Sequence, residues 1–184
     1  MTGEPRSNIV VAGFMCSGKT TVGKLVARLT GRRFVDTDEL VEELARSTVA
    51  AIFEREGEEA FRRLERSVVS EVARRLDTVI ALGGGAVLDP ENVDDCSRGG
   101  VVYYLEVSPE LVIERRGPAG SRPLLEGLDA SGVARLISRR LPAYLDAADV
   151  VVHAGDRSPD DIAAAIAADF EDRLEGAAAG RELL

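Results

Sequence analysis

Basic charge, cysteine, histidine and long apolar runs are all scarce in this chain. Lys and Arg number 23 against 32 Asp and Glu, for a net charge of −9. That excess of acid argues against non-specific nucleic-acid binding or attachment to an anionic membrane as the main activity. It also makes any local cluster of arginines informative. The two cysteines, Cys16 and Cys96, make neither a disulfide framework nor a zinc site. The one histidine, His153, has no Cys or Ser partner at a suggestive spacing and is read as chemically idle. No apolar stretch is long enough to span a bilayer, and Met1 to Ser7 lacks the apolar core of a signal peptide. No internal repeat is present. A reduced, cytoplasmic enzyme without nucleic-acid or membrane partners is expected. At 184 residues and 45% apolar, the chain can bury the core of one ordinary domain.

What is there begins with Gly13-Phe14-Met15-Cys16-Ser17-Gly18-Lys19-Thr20, the spacing G-x-x-x-x-G-K-[ST] of a phosphate-binding loop. The run Asn8 to Ala12 before it is apolar and β-branched, as in a buried strand. After it, Val22, Leu25, Val26 and Leu29 recur at helical spacing, and Gly31 sits where a helix is closed. Strand, loop and helix together aim backbone N–H groups and a positive helix end at an anion. Lys19 can then reach terminal phosphates and the Thr20 hydroxyl can hold Mg²⁺.

Further strands are predicted at 33–36, 78–82, 101–107 and 149–152. Helices are predicted at 39–46, 50–56, 58–76, 90–97, 109–116, 131–145 and 160–174. Strand and helix alternate, so the expected fold is an α/β/α sandwich around a mainly parallel five-stranded sheet. Asp36-Thr37-Asp38 ends the second strand, where ligands bind in open α/β sheets. One carboxylate could serve Mg²⁺ and the other accept a proton; alternatively Thr37 or Asp38 caps the following helix. Gly57 breaks one helix from the next, and Arg62 and Glu65 lie close enough to pair. Gly83-Gly84-Gly85 follows the third strand and clears side chains from the crevice, so main-chain N–H groups could grip a small polar substrate. The stretch 116–128 is rich in Gly and Pro, and Arg115, Arg116 and Arg122 lie in or beside it, the pattern of a mobile lid over phosphates. Pro142 is expected to kink or interrupt its helix. Residues 1–7 and 176–184 are expected to be loose around a core at about 8–174, within a single kinase domain spanning 1–184. These residues by themselves indicate a phosphotransferase acting on a small molecule.

The combination of the phosphate loop, Asp36-Thr37-Asp38, Ile52-Phe53, Gly57-Glu58, Phe61-Arg62-Arg63-Leu64-Glu65, the triple glycine, Arg122-Pro123-Leu124-Leu125 and Arg140 with Pro142 and Tyr144 resembles shikimate kinase. That family has the nucleoside-monophosphate-kinase-like form of the P-loop fold. The resemblance runs from about Asn8 to Leu174 and implies transfer of the ATP γ-phosphoryl to the 3-hydroxyl of shikimate, in aromatic amino-acid biosynthesis, by a monomer. It implies that Gly13, Cys16, Ser17, Gly18, Lys19, Thr20 and Thr21 surround the ATP phosphates, with Arg116, Arg122 and Arg157 also on the nucleotide. Thr20 and Asp36 would serve Mg²⁺. Lys19, Asp38 and Arg122 would be catalytic, Asp38 meeting the reacting hydroxyl. Arg62 and Arg140 would bind the shikimate carboxylate, and Gly83, Gly84 and Gly85 would receive its ring, with Glu65 orienting Arg62.

One residue departs from the family pattern: Cys16 stands where glycine is usual. A positive φ there would strain cysteine, and a need for smallness alone would leave the thiol crowding the phosphates. Two alternatives share the loop and the fold. A gluconate kinase would give no reason for two arginines placed to receive a carboxylate. A catalytically silent nucleotide-binding homologue is favoured by Cys16 alone and opposed by Lys19, Thr20, Asp36, Asp38 and Arg122.

Overall fold

Strands buried on both faces read as continuous apolar runs, and three such strands form the middle of the sheet. β1 (Asn8–Gly13) is buried at every position and β4 (Gly100–Glu106) at all but its last. They pair in parallel, and β3 (Thr78–Ala81) takes the other side of β1. β2 (Arg33–Asp36) and β5 (Val150–His153) complete a five-stranded sheet in the order β2-β3-β1-β4-β5, every pair parallel. The computed structural model describes residues 6–116, 123–125, 127–155 and 157–179. Helices flank the sheet, so the expected α/β/α sandwich is found. α1 (Lys19–Thr30) packs on α7 (Pro159–Ala179) and over β2 and β3. α4 (Pro90–Gly99) and α6 (Ala130–Ala147) pack over β4. α2 (Thr37–Ala45) and α3 (Val49–Val72) form a limb beside the strand ends, and α5 (Pro109–Arg115) packs on α6. Among the described residues no helix is long and apolar enough to cross a membrane.

Register places the site. Val11 and Asp36 are both level with Ala81 across neighbouring strands. The segments that follow β1, β2 and β3 therefore leave the sheet side by side. β1 lies between β3 and β4, so its carboxyl end opens at a topological switch point, where such sheets hold ligands.

Helix ends differ in a way that matters. α2, α3, α4, α5 and α6 each start on a side chain that accepts a first-turn N–H: Asp36, Thr48, Asp89, Ser108 and Asp129. α1 starts on Gly18, left-handed at φ 95°, and has no side-chain cap. Its first-turn donors are left for something else.

Several expectations need correcting. Asp36, not Thr37 or Asp38, caps α2. Thr37 is fully buried and bonds elsewhere. The predicted helix to residue 76 ends at Val72, and the chain turns at Ala73 and Arg74 and passes through a left-handed Asp77 (φ 50°) before β3. α6 runs on through Pro142. Proline removes one helical donor, but Arg140, Tyr144 and Ala147 around it are buried, and that packing holds the helix together. α7 continues to Ala179, past the predicted fraying point, on alanines that favour helix without needing an apolar stripe. Of the lid stretch, residues 117–122 and 126 lie outside the described residues; Pro123–Leu125 forms a 3₁₀ turn with Leu125 buried. The first five residues and residues 180–184 also lie outside.

The break at Gly57 is as expected, with φ 82° and ψ 173° inside α3. A Cβ there would meet nothing within 4 Å, so only backbone conformation requires glycine. Gly57→Ala should cost about 1–3 kcal/mol in urea unfolding. Unchanged stability would mean the break relaxes freely.

Candidate active site

The uncapped end of α1 opens into a cavity of about 310 Å³. Cys16, Gly18, Lys19, Thr20, Thr21 and Arg115 line it. The positive helix end and two cationic side chains give it the character of a phosphate site. Lys19 Nζ folds back to donate to the Phe14 carbonyl at 3.0 Å, so the loop and its lysine form one unit. Gly13 is where the loop closes on itself, since a Cβ there would lie 2.7 Å from Ser17 Oγ. The Ser17 hydroxyl is buried and, among the described residues, has no hydrogen-bond partner. It lies against the turn at Gly13 and lines neither this cavity nor the one that adjoins it, so Ser17 contributes to the shape of the loop.

Cys16 adopts φ 64°, in the left-handed region. For a residue with a Cβ that conformation costs roughly 1–2 kcal/mol. Glycine would adopt it without that penalty.

A second cavity, of about 290 Å³, adjoins the first. Met15, Thr20, Asp36, Asp38 and Gly84 line both, so the two are chambers of one cleft. At the junction the Thr20 hydroxyl donates to Asp36 Oδ2 at 2.6 Å. Asp36 Oδ1 takes the Asp38 N–H at 3.0 Å, so one carboxylate both caps α2 and meets the phosphate loop.

α3 and α6 each bring a guanidinium to the second chamber. Arg62 is held by Glu65 at 2.7 Å and Glu58 at 2.9 Å. Arg140, itself buried, donates to the Gly84 carbonyl at 3.3 Å. The tilted pair Phe53 and Phe61, with ring centroids 4.9 Å apart, gives this chamber an apolar wall. Two arginines, an aromatic wall and polar backbone suit a small ring bearing a carboxylate.

Burial and charge act against each other around Arg62. Burial disfavours its positive charge, but Glu65 and Glu58 outweigh that and raise its pKa above the ordinary value. Glu65 is only 2% exposed. Burial raises its carboxyl above the usual range, and the negative Asp38 and Asp89 add to the effect against the pull of Arg62.

The glycine loop has its acceptors occupied and two donors left over. The Gly83 N–H donates to Thr37 Oγ1 at 2.7 Å. The Gly84 carbonyl accepts from Tyr144 Oη at 2.5 Å as well as from Arg140. Among the described residues the N–H groups of Gly84 and Gly85 have no protein partner, and both residues line the second chamber. Closeness explains the outer glycines. A Cβ at Gly83 would lie 2.5 Å from Asp38 Oδ1, and one at Gly85 would lie 2.5 Å from Arg62 Nη2.

The remaining predicted residues are scattered. Arg116 donates to the Leu128 carbonyl at 3.0 Å. Arg157 donates to the Asp161 carbonyl at 3.0 Å on the exposed first turn of α7. Arg122 lies outside the described residues. Arg115, expected only as part of the basic stretch over the phosphates and given no role of its own, is among the described residues the arginine that lines the phosphate cavity. Helical phase could not have singled it out: Arg115 and Arg116 lie three and four residues after the fully buried Val112, and both are exposed. Thr37 and Tyr144 stand in the motifs that carry the resemblance, but no sequence signal gave them the task of holding the glycine loop.

A family model described as shikimate kinase matches residues 15–171. A shikimate kinase of Symbiobacterium thermophilum is 47% identical over 171 residues, covering 91% of this chain and 98% of that relative. A shikimate kinase structure from Acinetobacter baumannii, in complex with shikimate, superposes with a TM-score of 0.87 at 34% identity, covering 91% of this chain and 94% of that one. A gluconokinase structure from Sinorhizobium meliloti has a TM-score of 0.56 at 18% identity over 92% of this chain and 96% of its own, a likeness of fold alone.

Two outcomes follow from the electrostatics and burial of these residues. A thiol reagent should modify one cysteine of the native protein, Cys16. Cys96 is 1% exposed, and burial pushes its thiol up to about 12. Two fast equivalents in a mass spectrum would contradict that burial. A carboxyl whose pKa is raised by folding contributes stability below its unfolded value and loses it as pH climbs through the folded one. Thermal melts should therefore show Glu65→Gln gaining on the wild type as pH rises above the ordinary glutamate value of 4.5. A gain for the wild type instead would mean that Arg62 outweighs burial.

Proposed function

The chain belongs to the shikimate kinase family, and we propose how its own residues perform the transfer of the ATP γ-phosphoryl to the 3-hydroxyl of shikimate. The observation that carries this reading is the position of Asp38, which lines both chambers of the cleft, between the phosphate loop and the two arginines. A carboxylate there touches the place where donor and acceptor must meet.

ATP enters with its phosphates in the chamber at the start of α1. Lys19 and the first-turn N–H groups receive the phosphate oxygens, Ser17 belongs to the loop that wraps them, and Arg115 faces them across the cavity. Arg122 is assigned from its sequence context to cover the transferring group, with Arg116 and Arg157 toward the nucleoside. Thr20 and Asp36 fit Mg²⁺, since they offer two hard oxygens in contact at the phosphate end of the cleft. When bound, the ion neutralises phosphate charge.

Shikimate enters the second chamber with its carboxylate between Arg62 and Arg140. Glu65 and Glu58 fix the Arg62 fork before substrate arrives, which lowers the entropy lost on binding. The N–H groups of Gly84 and Gly85 receive ring hydroxyls. This leaves the 3-hydroxyl at Asp38, which orients it and takes its proton. Phosphoryl transfer needs little covalent help, so positioning and charge neutralisation carry most of the acceleration. One kinase domain in the cytoplasm suffices for this chemistry, and two free thiols fit a reducing compartment.

The direct test is ADP release from Mg·ATP with shikimate, with gluconate, and with neither. Turnover is expected with shikimate only; equal turnover with gluconate would overturn the assignment of the arginines. Asp38→Asn should lower kcat by about a hundredfold or more while ATP binding is retained. Arg140→Ala should raise the KM for shikimate by about tenfold or more and leave that for ATP nearly unchanged. A loss of ATP affinity instead would mean that the two chambers have been assigned the wrong way round.

A further inference from the structure

Beyond the residues that line the cleft, one buried side chain bonds to the far end of the glycine loop. Asn92, on α4, is 1% exposed. Its Nδ2 donates to the Ala86 carbonyl at 2.9 Å, one residue beyond the triple glycine. Its Oδ1 accepts from Arg66 Nη1 at 2.6 Å. Arginine can only donate, so Arg66 compels the amide oxygen to face α3 and the amide nitrogen to face the loop. Arg66 is fixed in turn by Asp95 and by Glu91, the latter at 3.2 Å.

The loop is thus held at three successive points. Thr37 takes the Gly83 N–H, Tyr144 and Arg140 bind the Gly84 carbonyl, and Asn92 binds the Ala86 carbonyl. The Asp89 N–H also reaches that last carbonyl, at a longer 3.3 Å. Gly84 and Gly85 lie between the anchors, with their N–H groups left for the cavity. Arg66 directly follows Glu65 on α3. That helix therefore carries the Arg62–Glu65 pair and, through Asn92, steadies the loop opposite.

We infer that Asn92, with its amide oriented by Arg66, is a positioning residue for shikimate: it presents the Gly84 and Gly85 N–H groups to the substrate chamber. This rests on the reading that those two groups receive the substrate. Asn92 touches no substrate atom itself, so its loss weakens shikimate binding selectively and leaves the phosphate loop as it was.

The experiment uses the full chain and two variants. Asn92→Asp keeps the shape and the bond from Arg66 but sets an acceptor against the Ala86 carbonyl. Asn92→Leu removes both bonds at similar volume and carries the test should the first variant not fold. Either should raise the KM for shikimate about fivefold, the effect of one hydrogen bond, with the KM for ATP within about twofold. Glycine-selective ¹⁵N spectra of the free variant should show shifted amides for Gly84 and Gly85, with Gly13 and Gly18 unmoved. A lower melting temperature with both KM values unchanged, or with both raised alike, would make Asn92 a structural tie and overturn the inference. Titrating the wild type with shikimate separates the two readings. If the Gly84 and Gly85 amides do not respond, the loop does not receive the substrate and both readings fall. If they respond while the variants keep the wild-type KM, only the role of Asn92 falls.

Discussion

The site depends on the parallel register of three strands. With Val11 and Asp36 both level with Ala81, the segments after β1, β2 and β3 emerge together. Each contributes what the others lack: the first supplies backbone donors and a lysine, the second carboxylates, the third a backbone without side chains. A shift of one residue in any pairing would turn that strand's side chains to the opposite face. Burial of β1 and β4 on both faces resists such a shift, because every residue of the core would have to repack.

Around that frame, charge is held where stability alone would not place it. Glu65 is a buried carboxyl with its pKa raised by burial and by Asp38, and it is retained beside Arg62. Asp36 caps a helix and contacts Thr20 with the same carboxylate. Arg140 is buried against Phe14, with its guanidinium 5.7 Å from the ring centroid. Each arrangement spends desolvation on a fixed orientation, the condition for recognising a planar anion with little reorganisation. Cys16 adds backbone strain at the loop itself, a cost to the fold beside the nucleotide site.

Glycine acts in two distinct ways here. Gly18 and Gly57 supply positive φ, one to open α1 without a cap and the other to split α3 beside the substrate wall. Gly83 and Gly85 supply room, because Asp38 and Arg62 occupy the space their Cβ atoms would need. The triple glycine therefore reports the closeness of two functional side chains that come from other elements.

Much of this was legible in the sequence, and the limit of legibility follows from distance along the chain. The phosphate loop, the strand before it and the helix after it are local features, written in the spacing of glycines and the 3.6-residue repeat. The alternation of strand and helix dictated a parallel sheet, and a parallel sheet gathers the carboxyl ends of its strands. The pairing of Arg62 with Glu65 is a helical spacing, and the break at Gly57 a property of one residue. What joins elements was not written in any window. Thr37 meets Gly83 across 46 residues, Tyr144 meets Gly84 across 60, and Arg66 meets Asn92 across 26. The capping of α2 by Asp36, the continuity of α6 through Pro142 and the choice of Arg115 over Arg116 at the phosphates likewise came from the tertiary structure. Local composition determined which chemistry the chain carries. Packing decided which side chains hold it in place, because a buried donor must find its acceptor wherever the fold brings one near.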